Sequence, residues 1–204
     1  MEGAGALAPS DFQYFILDLD GTLVNIPVDW AAVRSEFAAI AGEPIEGKPL
    51  FQEVQRVVAA KPGTKESVLS MIESHELRAV ESTKPMPGAV DLLYSLFEVS
   101  KLALVTLQSR RVCDEILRRN KLLDLFEAVV TREDSLDRAV QLEAALNRLR
   151  VRPGEALFIG DRLNDVVCAK KVGLPVALVG RDGPVEPSPD YSFADLSRLK
   201  SFFS

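Results

Sequence analysis

The chain has 204 residues, 47% hydrophobic and 26% charged, enough apolar material for one well-packed core with a modest appendage and unlike a disordered segment. A formal net charge of −6 and a sequence pI near 5.0 exclude the basic field that binds nucleic acid through counterion release. Apolar runs break within about eight residues, short of the roughly 20 that span a bilayer, and MEGAGALAPSDFQ is not patterned as a signal peptide. A loose leader over 1–12, a cytoplasmic chain and no nucleic-acid or membrane partner are therefore expected.

From Gln13 the run QYFILDLDG is apolar, β-prone and closed by Gly21, which predicts a buried strand entering a loop. The stretch up to residue 84 contains no strand-like run and reads as three helices. Asp29 caps one that reaches Ala41 with Gly42 as its stop, Pro49 begins another that ends before Lys61-Pro62-Gly63, and Thr64 caps a third through about Glu81. Pro85-Met86-Pro87-Gly88 then opens a helix carrying Val90, Leu93 and Leu96. Beyond it, the runs KLALVT, EAVVT, EALFIG and PVALVG alternate with helical patterns over Arg110–Lys121, Arg138–Leu149 and Leu163–Val172.

Near-continuous apolar strands of this kind belong to a parallel sheet covered on both faces. The predicted fold is α/β: a doubly wound parallel sheet, a Rossmann-like core at 13–24 and 85–204, with a small helical insert at 25–84 after the first strand. Cys113 and Cys168 each fall in a helix with no second cysteine nearby and read as buried thiols.

In an open parallel sheet, reacting groups collect beyond the carboxyl ends of the strands. Asp18 and Asp20 close the first strand, and Asp161 and Asp165 follow EALFIG in the run FIGDRLND. Four carboxylates in one crevice repel one another unless a cation neutralises them, and all-oxygen donors point to Mg²⁺ rather than zinc. Asp18 and Asp20 could merely shape a turn around Gly21, and Asp165 merely favour a helix N-terminus. The recurrence of an acidic loop after a second apolar run weighs against that reading. The single histidine, His75, lies in the insert at helical spacing from Met71 and reads as packed or exposed.

The run ILDLDGTLV at 16–24 resembles the first motif of the haloacid dehalogenase superfamily, VTLQSR around Thr106 partly resembles the second, and IGDRLND at 159–165 resembles the fourth. The runs PMPGAVDLLYSL, GEALFIGD, AKKVGLP and PDYSFADLSRL extend the likeness to its phosphoglycolate-phosphatase-like branch, over nearly all of residues 13–200. The resemblance implies Mg²⁺-dependent hydrolysis of a small phosphorylated metabolite. It gives Asp18 as the nucleophile that becomes an aspartyl phosphate and Asp20 as acid and then base. It implies a metal held by Asp18, the Asp20 carbonyl and Asp161, with Asp165 orienting a water on it. The Thr106 hydroxyl and the N–H groups of Leu19 and Leu107 would bind the phosphoryl oxygens. The insert becomes a helical cap that sets leaving-group specificity, with Trp30, Lys48, Arg56, Lys61 and Lys65 as candidate contacts.

Two departures stand out. Leu107 occupies a place where many relatives carry asparagine, leaving any amide contact to Gln108. The usual third-motif lysine is missing from TREDSLDRAVQLEA, where Arg138 is the best replacement, able to bridge two phosphate oxygens, and Arg132 the next. The competing readings are a mutase of the β-phosphoglucomutase type, a catalytically silent regulatory relative, and a phospho-accepting signalling domain. Chain order opposes the last, since EAVVT ends without an aspartate.

Overall fold

A computed structural model describes residues 12–45, 47, 49–181 and 184–203. Along the chain, β1 (Tyr14–Asp18) and the two-residue β2 (Val24–Asn25) precede three helices, α1 (Trp30–Ala41), α2 (Leu50–Ala60) and α3 (Lys65–Ala79), and the equally short β3 (Lys84–Pro85) follows them. The remainder alternates through α4 (Ala89–Phe97), β4 (Lys101–Val105), α5 (Arg110–Arg119), β5 (Phe126–Val130), α6 (Arg138–Leu149) and β6 (Ala156–Gly160). It closes with α7 (Leu163–Val172), β7 (Val176–Val179), β8 (Tyr191–Phe193) and α8 (Leu196–Phe203).

Six strands form one parallel sheet in the order β5-β4-β1-β6-β7-β8. Both faces are covered, which explains the unbroken apolar runs. Phe15 and Leu17 join Leu92, Leu93, Ile116 and Leu199 on the face under α4, α5 and α8. Ile16, one residue out of phase, packs with Leu142, Leu146, Val166 and Ala169 under α6 and α7. Alternate residues of β1 therefore serve opposite cores.

The insert has a third core of its own, with Val33 and Phe37 of α1, Val54 and Val57 of α2, and Val68 and Ile72 of α3. Asp29 caps α1 as expected, its Oδ1 accepting from the Ala32 N–H at 3.0 Å, and Gly42 stops it at φ +69°. Thr64 does not cap α3: its hydroxyl donates to the Lys61 carbonyl at 2.8 Å, closing a 3-10 turn. The insert is also not strandless to its edges. Val24 pairs with Pro85 and Asn25 with Lys84 in an antiparallel ribbon at its neck.

Further differences are local. Val90 of α4 is only half-buried, and that helix buries Ala89, Leu92, Leu93 and Leu96 instead. Phe12, expected in the loose leader, is buried and meets Tyr191 edge-on at 6.4 Å; the rest of that segment lies outside the described residues. Cys113 is buried, but Cys168 is half-buried. No described helix is long and apolar enough to cross a membrane.

Candidate active site

Asp18 ends β1 in register with Val105 of β4, while Leu17 is in register with Ile159 of β6. The loops after these three strands therefore leave the sheet side by side where the strand order reverses, the place where such sheets form their crevice. Asp18, Asp161 and Asp165 each bring a carboxylate oxygen within 4.8 Å of the others. Two glycines make that approach possible. At Gly21, φ is +88° and an added Cβ would meet Asp161 Cγ at 2.8 Å; at Gly160 it would meet Asp165 Oδ2 at 2.6 Å. Asp165 also accepts from the Arg162 N–H at 3.1 Å, so it caps α7 while facing the cluster.

Arg138 enters from the first turn of α6. Its Nη2 donates to Asp18 Oδ1 at 2.6 Å, and its Nε lies 3.3 Å from Asp165 Oδ1. Its Nη1 is buried with no hydrogen-bond partner among the described residues. Arg132 is committed elsewhere: its Nη1 donates to both Glu76 carboxylate oxygens, at 3.0 and 2.8 Å, in a pair with side chains 2% and 0% exposed. The cation beside Asp18 is Arg138.

The Asp20 carboxylate is not one of the cluster of three. Its Oδ1 accepts from the Ile26 N–H at 3.0 Å, and Arg162 Nη2 lies 3.7 Å from its Oδ2. Burial first, and then the Asp18 charge, push the Asp20 carboxyl up to about 6 against the pull of the Ile26 hydrogen bond. Burial likewise raises Asp161, with Asp18 adding to it. Asp165 is raised by burial against the attraction of Arg138, with Asp18 and Asp161 pushing the same way. With Asp18, Asp20, Asp161 and Asp165 all ionised, the two guanidiniums of Arg138 and Arg162 leave a charge of about −2 uncompensated. That residual charge and the all-carboxylate donors fit a hard divalent cation.

Thr106 and Gln108 are buried, and the Thr106 hydroxyl donates to the Gln108 side-chain oxygen. Gln141 of α6 donates from Nε2 to the carbonyls of Thr106, at 2.7 Å, and Ser135, at 2.9 Å, and so ties the end of β4 to the loop before α6. Thr22 donates to Asp161 Oδ1 at 3.3 Å. The sequence reading missed Gln141 and Thr22. Gln141 had a signal, being a polar residue one turn from Arg138 on the apolar face of its helix. Leu19 is fully buried just beyond β1, and Leu107 is half-buried two residues beyond β4.

A cavity of about 510 Å³ opens beside Arg138 and Asp165, between the insert and the sheet. Trp30, expected as a contact, lines it with Leu50 and Phe51, and Leu107 and Leu136 face them from the sheet side. Other expected contacts are occupied elsewhere. Arg56 pairs with Glu43 and Glu53, Lys61 donates to the Ala41 carbonyl at 2.6 Å, and Lys65 lines a separate cleft. Lys48 lies outside the described residues. His75 shares a 2.9 Å hydrogen bond with Glu36 within the insert.

Known proteins resemble this chain in sequence and in fold. A family model for haloacid dehalogenase-like hydrolases matches residues 15–179. A phosphoglycolate phosphatase from Synechococcus elongatus is 26% identical over 79% of this chain and 81% of its own. A pyrophosphatase, PpaX, from Anoxybacillus flavithermus is 26% identical over 91% of this chain and 94% of its own. Among solved structures, a haloacid dehalogenase-like hydrolase from Streptococcus pneumoniae superposes with a TM-score of 0.73 at 18% identity, covering 96% of this chain and all of the other, a likeness of fold.

Proposed function

Because the chain belongs to the haloacid dehalogenase-like hydrolases, we propose that it hydrolyses a small-molecule phosphate monoester with Mg²⁺, carrying the phosphoryl group transiently on Asp18. The observation behind this reading is the buried Asp18 carboxylate, held by Arg138 at 2.6 Å in a cluster of carboxylates at the carboxyl end of β1. A divalent ion held by Asp18, Asp161, Asp165 and the Asp20 carbonyl would screen the negative charge of nucleophile and ester.

The chain's own groups do the rest. An Asp18 oxygen attacks phosphorus as the ester oxygen leaves on the opposite side. Asp20, whose carboxyl is raised to about 6, carries a proton in roughly one molecule in ten at pH 7, against about one in a thousand for an unshifted aspartate, and in that form gives it to the departing alkoxide. The same carboxylate then takes a proton from the water that cleaves the acyl phosphate. Arg138 has a buried nitrogen in need of an acceptor, and a phosphoryl oxygen supplies one. The N–H groups of Leu19 and Leu107 are the remaining candidate donors. Since the Thr106 hydroxyl donates to Gln108, its part is to hold the loop unless that bond opens.

The test is release of inorganic phosphate from an aryl phosphate with and without Mg²⁺. Release that needs the metal and is lost in Asp18→Asn is the expected result. Full activity in that variant refutes the mechanism, and transfer to another hydroxyl without free phosphate identifies a mutase.

A further inference from the structure

The cavity beside Arg138 raises a question that the names of the relatives do not answer. At about 510 Å³, it lies within the range of roughly 300–1,000 Å³ that holds drug-sized ligands. A two-carbon acid fills little of it. Its walls are five large apolar side chains, Trp30, Leu50, Phe51, Leu107 and Leu136, each half-buried and so each with surface still to cover. The polar groups at its edge include the uncharged amides Gln52, Gln55 and Asn164.

A leaving group with its own carboxylate needs a cation there. Arg138 faces Asp18 and Asp165 with Nη2 and Nε and keeps Nη1 for the phosphoryl group, and Arg162 leans toward Asp20 and Asp161, at 3.7 and 3.9 Å. Arg34 has an interaction of its own. Leu107, where asparagine was the family expectation, adds an apolar surface at the phosphoryl end of the cavity.

We propose that the preferred substrate is the phosphate ester of an alcohol bearing an uncharged flat ring. The ring sits against Trp30, Phe51 and Leu107 while its phosphoryl group reaches Arg138. This rests on the phosphatase reading above. Apolar area removed from water is the source of selectivity, worth about tenfold or more for a ring against a hydrophilic group of two carbons.

The test compares two esters whose leaving groups are both ordinary alkyl alcohols, so that leaving-group acidity does not decide the outcome. With the full chain and Mg²⁺, kcat/KM for 2-(1-naphthyl)ethyl phosphate is expected to exceed that for 2-phosphoglycolate at least tenfold. Trp30→Ala and Phe51→Ala are each expected to raise KM for the naphthyl ester several-fold and shift the ratio toward one, with 2-phosphoglycolate in the same variants reporting an intact site. A preference for 2-phosphoglycolate overturns the proposal, as do equal losses on both esters. If neither ester is hydrolysed, it is the phosphatase reading that fails. Binding to Asp18→Asn then decides the cavity's role: at least tenfold tighter binding of the naphthyl ester supports the ring site, and equal affinity overturns it.

Discussion

Arg138 is held by two carboxylates yet retains a buried nitrogen without an acceptor. An arginine so placed has two duties, neutralising Asp18 and offering a fork to an anion, and substitution separates them. Arg138→Lys keeps a point charge but loses the fork, while Arg138→Ala loses both. By analogy with the removal of a donor to a developing charge, Arg138→Ala is expected to lower kcat about 10²–10³-fold. Arg138→Lys should fall between it and the native chain. Steady-state phosphate release measures both.

The acidic cluster makes a second prediction at this scale. Burial and mutual repulsion raise Asp20, from 3.8 to about 6, and also raise Asp161 and Asp165. The folded chain therefore binds protons more tightly than the unfolded one. Without metal, this contribution to stability is complete below pH 3.8 and is lost as pH rises through about 6 for Asp20 and about 7 for Asp165. A divalent ion requires the ionised carboxylates, so its stabilisation should grow over the same window. Mg²⁺ at 100 times its Kd is expected to raise Tm by about 5–10 °C at neutral pH, with a smaller shift near pH 5. Asp161→Asn should abolish most of the shift. Thermal unfolding followed by circular dichroism reads this without reference to activity.

At the scale of elements, Glu76 and Arg132 tie α3 of the insert to the loop after β5. The Glu76 side chain is fully buried, and burial pushes its carboxyl up to about 8 despite the arginine beside it. Such a pair recovers less of its desolvation cost than its short contacts suggest. Glu76→Leu alone strands a buried guanidinium and is expected to lose about 3–5 kcal/mol of stability. The double change Glu76→Leu, Arg132→Met should return most of that loss. Urea unfolding of the two variants measures the difference.

The same pair marks the limit of what could be read from the sequence. Signals carried by neighbouring residues were legible: Asp29 and Gly42 bracket α1, and apolar runs mark the strands of the core. The acidic residues were placed because their strands had been recognised and the ends of parallel strands converge. Partners 56 positions apart, such as Glu76 and Arg132, leave no local pattern, so Arg132 remained a rival to Arg138. The β2–β3 ribbon is too short for any periodicity. Thr64 has the side chain of a cap, but the 3-10 turn before α3 gives its hydroxyl another acceptor. The apolar cavity was equally hidden, because its walls come from α1, α2 and two loops that meet only once the insert packs on the core.

For the molecule as a whole, that packing is the feature most open to change. The insert has its own core and meets the sheet domain through a two-residue ribbon, the Glu76–Arg132 and Glu73–Arg111 pairs, the end of α3, where Leu77 and Ala79 pack into the core under α4, α5 and α8, and Leu136, which packs against the insert's apolar cluster. The cavity lies in the same seam, so a ligand there touches both parts at once. Trp30 is the only tryptophan in the chain and lines that cavity, so it reports on the seam without labelling. If the insert closes over a phosphoryl group held by Arg138, the half-exposed surface of Trp30 loses water. Orthovanadate, a mimic of the phosphoryl group that does not itself fill the apolar cavity, should then shift Trp30 emission to shorter wavelength in the presence of Mg²⁺. Arg138→Ala should weaken the response, and Trp30→Phe should remove it. An unchanged spectrum at a vanadate concentration that blocks turnover would mean that the two parts keep one arrangement throughout the cycle. Specificity would then come from the shape of the cavity as it stands rather than from its closing.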